Sequence, residues 1–272
     1  MASVRTGWRI RFYLVATIAT LFASHARAQS RALFSEEPTP LAAARSVVSD
    51  PMVIRSRRAT ADVSLLAQGG VADPGFGAAR PAARSLDLNL FADVTLIAQL
   101  DYVETVGSLG YAWVGQVAGV ENSRVVLAVA GGVLSGSIEL LTRLYSVTLR
   151  DGSYIIAEVN RPVPVGDDAV PMPAAARANA PADVVAAPVD SGDQFDLLLY
   201  YTTGAKNEIG GTAAVNALIT ASIAQVNSVY TASRISTRVR LVAAIESGYV
   251  DTTNLSTDLT ALFSSADAHA RL

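Results

Sequence analysis

The sequence predicts an α+β chain in two parts: an antiparallel β-rich region over residues 86–160, then an incomplete α/β start, strand–helix–strand, over residues 194–272. Three observations carry this. Gly131-Gly132 and Asp151-Gly152 each separate two alternating apolar runs, the pattern of tight hairpin turns that need positive φ angles. Leu197 to Tyr201 is continuously apolar, as in a strand covered on both faces. Between Thr212 and Ala232 the apolar period changes to that of a helix.

The first strand follows from Leu86, Leu88 and Leu90 alternating with Asp87 and Asn89, which gives one buried and one polar face. Val94 to Glu104 continues the alternation, and Tyr111 to Val117 is short and aromatic. The two hairpins pair Arg124–Ala130 with Val133–Glu139 and Leu144–Leu149 with Tyr154–Val159. In the last part Phe195–Thr202 reads as a strand, and Thr212 is a candidate N-cap after Gly210-Gly211. Val215, Ile219, Ile223, Val226 and Tyr230 line one helical face, Thr237–Val250 forms a second strand parallel to the first, and another helix begins near Asn254.

Residues 1–28 read as a signal peptide. Arg5, Arg9 and Arg11 precede an apolar run from Phe12 to Phe22, and Ala26-Arg27-Ala28 offers a cleavage site after Ala28. The run is well short of the ~20 residues that cross a bilayer, so an anchor is disfavoured and the chain is expected to be secreted, extracellular or periplasmic. The leader holds four Arg and no acid, so the 21 basic residues fall to 17 against 24 acidic ones, a net charge of −7. That charge argues against nucleic acid and against an anionic membrane as partner after cleavage.

Residues 29–85 are Ala-, Arg- and Pro-rich and are expected to be irregular, apart from a short helix near Leu41 to Val48. The basic run Arg55-Ser56-Arg57-Arg58 within them reads as a solvated linker or a processing site. Residues 161–193 carry Pro162, Pro164, Pro171, Pro173, Pro181 and Pro188, the composition of an extended, protease-accessible linker.

Candidate chemistry is sparse. The 272 residues include no Cys, which excludes a disulfide framework, a thiol nucleophile and a thiolate zinc site. His25 leaves with the leader, and His269 has no second ligand at helical spacing, so it reads as a solvated helix residue. Without a His base no Ser nucleophile is activated. Asp193 and Asp196 read as turn and edge residues, Glu36-Glu37 and Asp167-Asp168 as solvated loop acids, and the Gly pairs lack phosphate-loop spacing. Tyr111, Trp113, Tyr145 and Tyr154 either pack the β core, the favoured reading, or form a peptide- or sugar-binding face. No residue is assigned a catalytic, cofactor-binding or metal role.

The run Asp196-Leu-Leu-Leu-Tyr-Tyr-Thr202, the helix with Asn216 and Asn227, and Val239-Arg-Leu-Val-Ala243 running on to Tyr249 resemble the start of the catalytic domain of secreted zinc metallopeptidases of the metzincin clan. The likeness is to the reprolysin-like and peptidyl-Asp-type bacterial enzymes. Trp113-Val-Gly115, Val125-Val-Leu-Ala-Val129 before Gly131-Gly132, and Asp151-Gly-Ser-Tyr-Ile155 resemble the pro-region of such proteins. The resemblance covers roughly residues 86–272. It implies a peptide or protein substrate and a zinc ion held by a His-Glu-x-x-His-x-x-Gly-x-x-His helix, with the Glu activating zinc-bound water. This sequence has no such motif, so the chain is expected to be the N-terminal part of a zinc metalloendopeptidase precursor, binding no zinc and cleaving nothing by itself. The alternative is a non-enzymatic exported β-rich binding or surface-interaction protein.

Overall fold

The computed structural model describes residues 31–37, 51–67, 82–160, 193–252 and 254–265. The leader, the short helix expected near residues 41–48, nearly all of the 161–193 linker and His269 lie outside the described residues.

Ten strands form one large sheet: β1 (Arg31–Ala32), β2 (Phe34–Glu36), β3 (Val53–Ala61), β4 (Ser85–Phe91), β5 (Val94–Val106), β6 (Gly110–Val117), β7 (Arg124–Ala130), β8 (Val133–Glu139), β9 (Leu144–Arg150) and β10 (Ser153–Val159). From β4 to β10 the order is a plain antiparallel meander, and β3 returns to pair antiparallel with β10. The turns follow from backbone chemistry. Gly131 and Gly132 stand at φ 53° and 76°, Asp151 and Gly152 at 50° and 79°, so both hairpins take the left-handed pairs that suit the twist of the flanking strands.

The sheet curls towards a barrel, and β1 and β2 sit in the gap where its ends meet. Arg31 and Ala32 pair parallel with Leu86 and Asp87 of β4; two residues later Phe34, Ser35 and Glu36 pair antiparallel with Ala61, Thr60 and Ala59 of β3. Leu33 spans the changeover, its N–H donating to Asp87 O at 3.0 Å and its carbonyl accepting from Asp62 N at 2.9 Å. Where the strands part, side chains replace the ladder. The Arg57 guanidinium donates to the carbonyls of Asn89 and Leu90, and Asn89 Nδ2 donates to Phe34 O at 2.7 Å. Arg55 bridges Glu158 (2.6 Å) and Asp93 (2.7 Å) and lies 4.1 Å over the Phe91 ring.

The interior is filled by side chains. Phe34, Leu86, Leu88, Leu90, Trp113, Leu127, Leu134, Ile138, Tyr145 and Ile156 are fully buried, and Trp113 Nε1 donates to Ala83 O at 2.9 Å. The aromatics therefore pack the core, as favoured from the sequence; Tyr154 Oη accepts from the Leu134 N–H. Strands β6 and β7 are buried on both faces. Tyr111, Trp113, Val125, Leu127 and Val129 face inward, while Ala112, Val114, Val126 and Ala128 form a second, outer apolar cluster.

That outer face carries the helix of the described residues that follow. Strand β11 (Gln194–Thr202) leads through helix α1 (Thr203–Ile209) and helix α2 (Thr212–Ala232) to strand β12 (Arg238–Ser247), parallel to β11, and then to helix α3 (Leu255–Phe263). Thr202 caps α1 by accepting from Ala205 N at 3.0 Å, and Asn254 caps α3 by accepting from Ser256 N and Thr257 N.

The expected α+β class, an antiparallel pro-region followed by the βαβ start of a metzincin-like domain, is corrected here. Strand accounts for 51% of the described residues against 23% helix, and the dominant body is the nearly closed antiparallel barrel. Although β11 and β12 do pair in parallel, α2 rests chiefly on β7 and β8 of the barrel rather than forming a layer with those two strands alone. The irregular backbone expected over residues 29–85 is also corrected: its described parts hold β1, β2, β3 and a 3-10 turn at Val63–Leu66. Arg55-Ser56-Arg57-Arg58 is not a solvated linker; it lies in β3, where carbonyls at the seam need donors. Thr212 is the first helical residue, and the N-cap of α2 is Gly211.

Removing the Arg57 donor leaves two carbonyls at the seam without their partner. Arg57→Met is expected to cost about 2–4 kcal/mol in urea unfolding, whereas the exposed Arg150→Ala changes stability by at most about 0.5 kcal/mol.

Candidate functional site

Helix α2 contains no charged side chain between Thr212 and Ala232, and it has two apolar faces rather than one. Ala221 and Ala224 lie on Ala112, Val114, Val126 and Ala128 of the barrel, with Tyr102 at the margin. Val215, Ile219 and Ile223 pack on Leu197, Leu199, Tyr201, Val239 and Leu241 of the β11–β12 sheet, together with Val106 and Leu109. Small residues on both sides of the first contact let the helix backbone approach the sheet closely. A Cβ placed on Gly131 would stand 3.1 Å from Ala213 Cβ, so the start of the helix sits against the β7–β8 hairpin.

Polar groups flank this contact. Ser137 Oγ donates to Gln225 Oε1 at 3.4 Å, Gln225 Nε2 donates to Glu139, and Arg124 pairs with Glu139 at 3.4 Å. Further along, Asn227 holds β12 by its backbone: Oδ1 accepts from Val239 N at 2.8 Å and Nδ2 donates to Val239 O at 3.0 Å. The same Nδ2 donates to Glu104 Oε1 of the barrel at 2.6 Å. Burial pushes the Glu104 carboxyl above the usual carboxylate range, opposed by the Asn227 hydrogen bond and by Arg238. Asn227 belongs to the run that carries the family resemblance; Glu104 and Gln225 carry no motif in the sequence. The available signal was a polar amide in a helix with no charge, one turn from a run of small residues.

A cleft of about 620 Å³ opens at the carboxyl ends of β11 and β12, where α3 crosses them. Leu255, Leu259 and Leu262 form its apolar wall; Glu246, Tyr249 and Asp258 stand among its polar residues. Each of these acids is engaged. Glu246 accepts from Lys206 Nζ (2.5 Å) and Thr203 Oγ1 (2.7 Å), and the Lys206 bond first, then Thr203, holds its carboxyl below the usual range. Asp258 Oδ1 accepts from Thr252 Oγ1 (2.8 Å), Thr252 N (3.0 Å) and Tyr249 Oη (2.8 Å), and the Thr252 bonds lead in depressing it. A carboxylate in such a state binds and orients; it is a poor proton acceptor.

The residues weighed from the sequence do not converge. Asp196 makes a two-bond pair with Arg240 (2.8 and 2.6 Å) across neighbouring strands, and the Asp193 carbonyl accepts from Arg238 N. Glu37, read as solvated, accepts from Ser153 Oγ at 3.0 Å. Among the described residues no group of three or more His, Asp or Glu side chains could hold a metal ion.

The depressed Asp258 carboxyl sets a sign. Its contribution to the Tyr249–Asp258 turn is present above the ordinary Asp range and is lost as pH falls through the depressed value. Exchange of the Thr252 amide, corrected for its intrinsic rate, is expected to speed up on acidification, and Asp258→Asn should remove that dependence. Comparison of the chain with protein-family models, curated proteins and solved structures returned no match, so neither the metallopeptidase family resembled above nor any other is identified by these comparisons.

Proposed function

We propose that the chain is the folding and holding part of an exported zinc metalloendopeptidase precursor, in which the barrel carries the helix of the segment that follows it. The observation behind this reading is the burial of Ala221 and Ala224 against the barrel while Val215, Ile219 and Ile223 cover the β11–β12 sheet. Two parallel strands can cover one face of a helix, and the barrel supplies cover for the other. The order of leader, β-rich region, Pro-rich linker and strand–helix–strand, with the resemblances quoted for them, supports the peptidase class. The reading does not require a separate α/β domain beginning near residue 194.

The described residues offer no ligand set that fits zinc, so no step of hydrolysis is assigned to them. In the complete precursor zinc would supply the activated water, and its ligands and the peptide cleft would belong to residues beyond this sequence. Export past a cleavage site near Ala28 would deliver the precursor outside the cytoplasm. With no Cys to donate a thiolate, any restraint that the barrel imposes would be steric.

A second reading, a non-enzymatic exported binding module, is favoured by the cleft beside α3, whose Glu246 and Asp258 carboxylates already accept bonds from within the chain. Translation of the DNA downstream of Leu272 separates the two: a His-Glu-x-x-His helix in frame supports the precursor, and its absence supports the binding module. The holding role has its own test. Ala224→Phe overpacks the helix–barrel contact and is expected to cost about 1–3 kcal/mol and to make helix α2 more open to limited proteolysis, while exposed Ser222→Ala stays within about 0.5 kcal/mol. Unchanged protease resistance in Ala224→Phe would count against the barrel as a holder.

A further inference from the structure

Glu104 stands on the outer face of β5, beneath α2, and its surroundings are short of donors. Its partner across the β5–β6 ladder is Ala112, which offers no side-chain hydrogen bond. Helix α2 brings the neutral groups Asn227 and Thr231 and no charge. From β12 the nearest cation is Arg238, whose Nη1 is already donating to the carbonyls of Ile235, Ser236 and Thr237. Arg240 of the same strand is paired with Asp196. On β5 itself stand Tyr102, whose hydroxyl bonds Thr231, and beyond it Asp101. Glu104 thus has one hydrogen bond, from Asn227 Nδ2 to Oε1, while Oε2 is buried with no partner.

Burying an ionised carboxylate with one neutral donor is much costlier than burying the protonated acid. The cost applies only while the helix lies on the barrel, because separation returns Glu104 to water. Asn227 loses little on separation, since its two bonds to Val239 stay within the helix–β12 unit. Glu104 is therefore the member of the pair whose state depends on docking.

We propose that Glu104 is a pH-sensitive latch between the barrel and helix α2: the two stay together with its carboxyl protonated and part more readily once it ionises. The sign follows from linkage. A carboxyl whose proton is held more tightly in the docked state contributes docking stability that is full at acidic pH and is lost as pH rises through the raised value. This rests on the docked geometry and not on the peptidase reading, so either can fail without the other.

The test uses the chain's lack of cysteine. In the full chain, Gln116→Cys on β6 and Ser222→Cys on α2, both exposed, accept spin labels whose separation reports docking. In the otherwise native chain the separated population is expected to rise with pH, with the docking constant falling by at most about tenfold per pH unit, the limit for one proton. Glu104→Gln, which keeps the acceptor for Asn227 without the charge, should hold the short distance at acidic and alkaline pH alike. Glu104→Ala, which loses the hydrogen bond as well, should be weaker in docking but equally flat. The latch is overturned if the native chain shows no pH dependence or tightens as pH rises, or if Glu104→Gln keeps the native slope.

Discussion

A helix buried on two faces has to be covered twice. Helix α2 has no charged residue to turn towards water, and its two apolar faces, aliphatic on one side and alanine-rich on the other, are taken up by two different sheets. Burial of apolar surface at ~25 cal/mol per Å² rewards both contacts, but the alanine side gains chiefly from close approach, because small side chains carry little area. This is why the outer faces of β6 and β7 are lined by Ala112, Val114, Val126 and Ala128 rather than by polar groups. The barrel thereby becomes a platform, and the helix joins it to the strands that follow.

The platform depends on its own closure. Hydrogen bonding around a curled sheet fails at the seam unless something spans it, and here one short segment pairs with β4 through β1 and with β3 through β2. Arg57 supplies donors to the Asn89 and Leu90 carbonyls at the seam, and burial lowers the guanidinium below its usual range without threatening its charge. Inside, Trp113, Tyr145 and the leucines of β4 fill the space, so the barrel is a packed core.

Local signals were legible in the sequence. The hairpins at Gly131-Gly132 and Asp151-Gly152 are set by residues that tolerate positive φ, and the helix from Thr212 is set by its period; both need only near neighbours to be recognised. The seam was not legible. Strands of two and three residues show no alternation, and Arg55-Ser56-Arg57-Arg58 looks like a solvated run until β4 is placed beside it. Helix α1, with seven residues and Gly204 in its first turn, gives no periodic signal either. The fold class is misled by α2: of its aliphatic stripe Val215, Ile219 and Ile223 are buried while Val226 is exposed, and Ala217, Ala221, Ala224 and Ser228, equally buried, give no such signal. Leu218, Ser222 and Val226 leave one narrow face of the helix exposed, but a long helix without charge, with small residues beside its aliphatic stripe, calls for a second sheet. The Glu104–Asn227 contact joins residues far apart in sequence and leaves no local trace.

The most direct measurement is of the helix on the barrel. Ser137 and Gln225 touch across that contact at 3.4 Å, and the chain has no native thiol to interfere. With Ser137→Cys and Gln225→Cys, a short bis-maleimide should link β8 to α2 within single chains by adding one thiol to each of its two double bonds, read by mass spectrometry after digestion. Efficient linkage is the expected result; two thiols that label separately and never bridge would contradict the docking on which the holding role and the latch both rest.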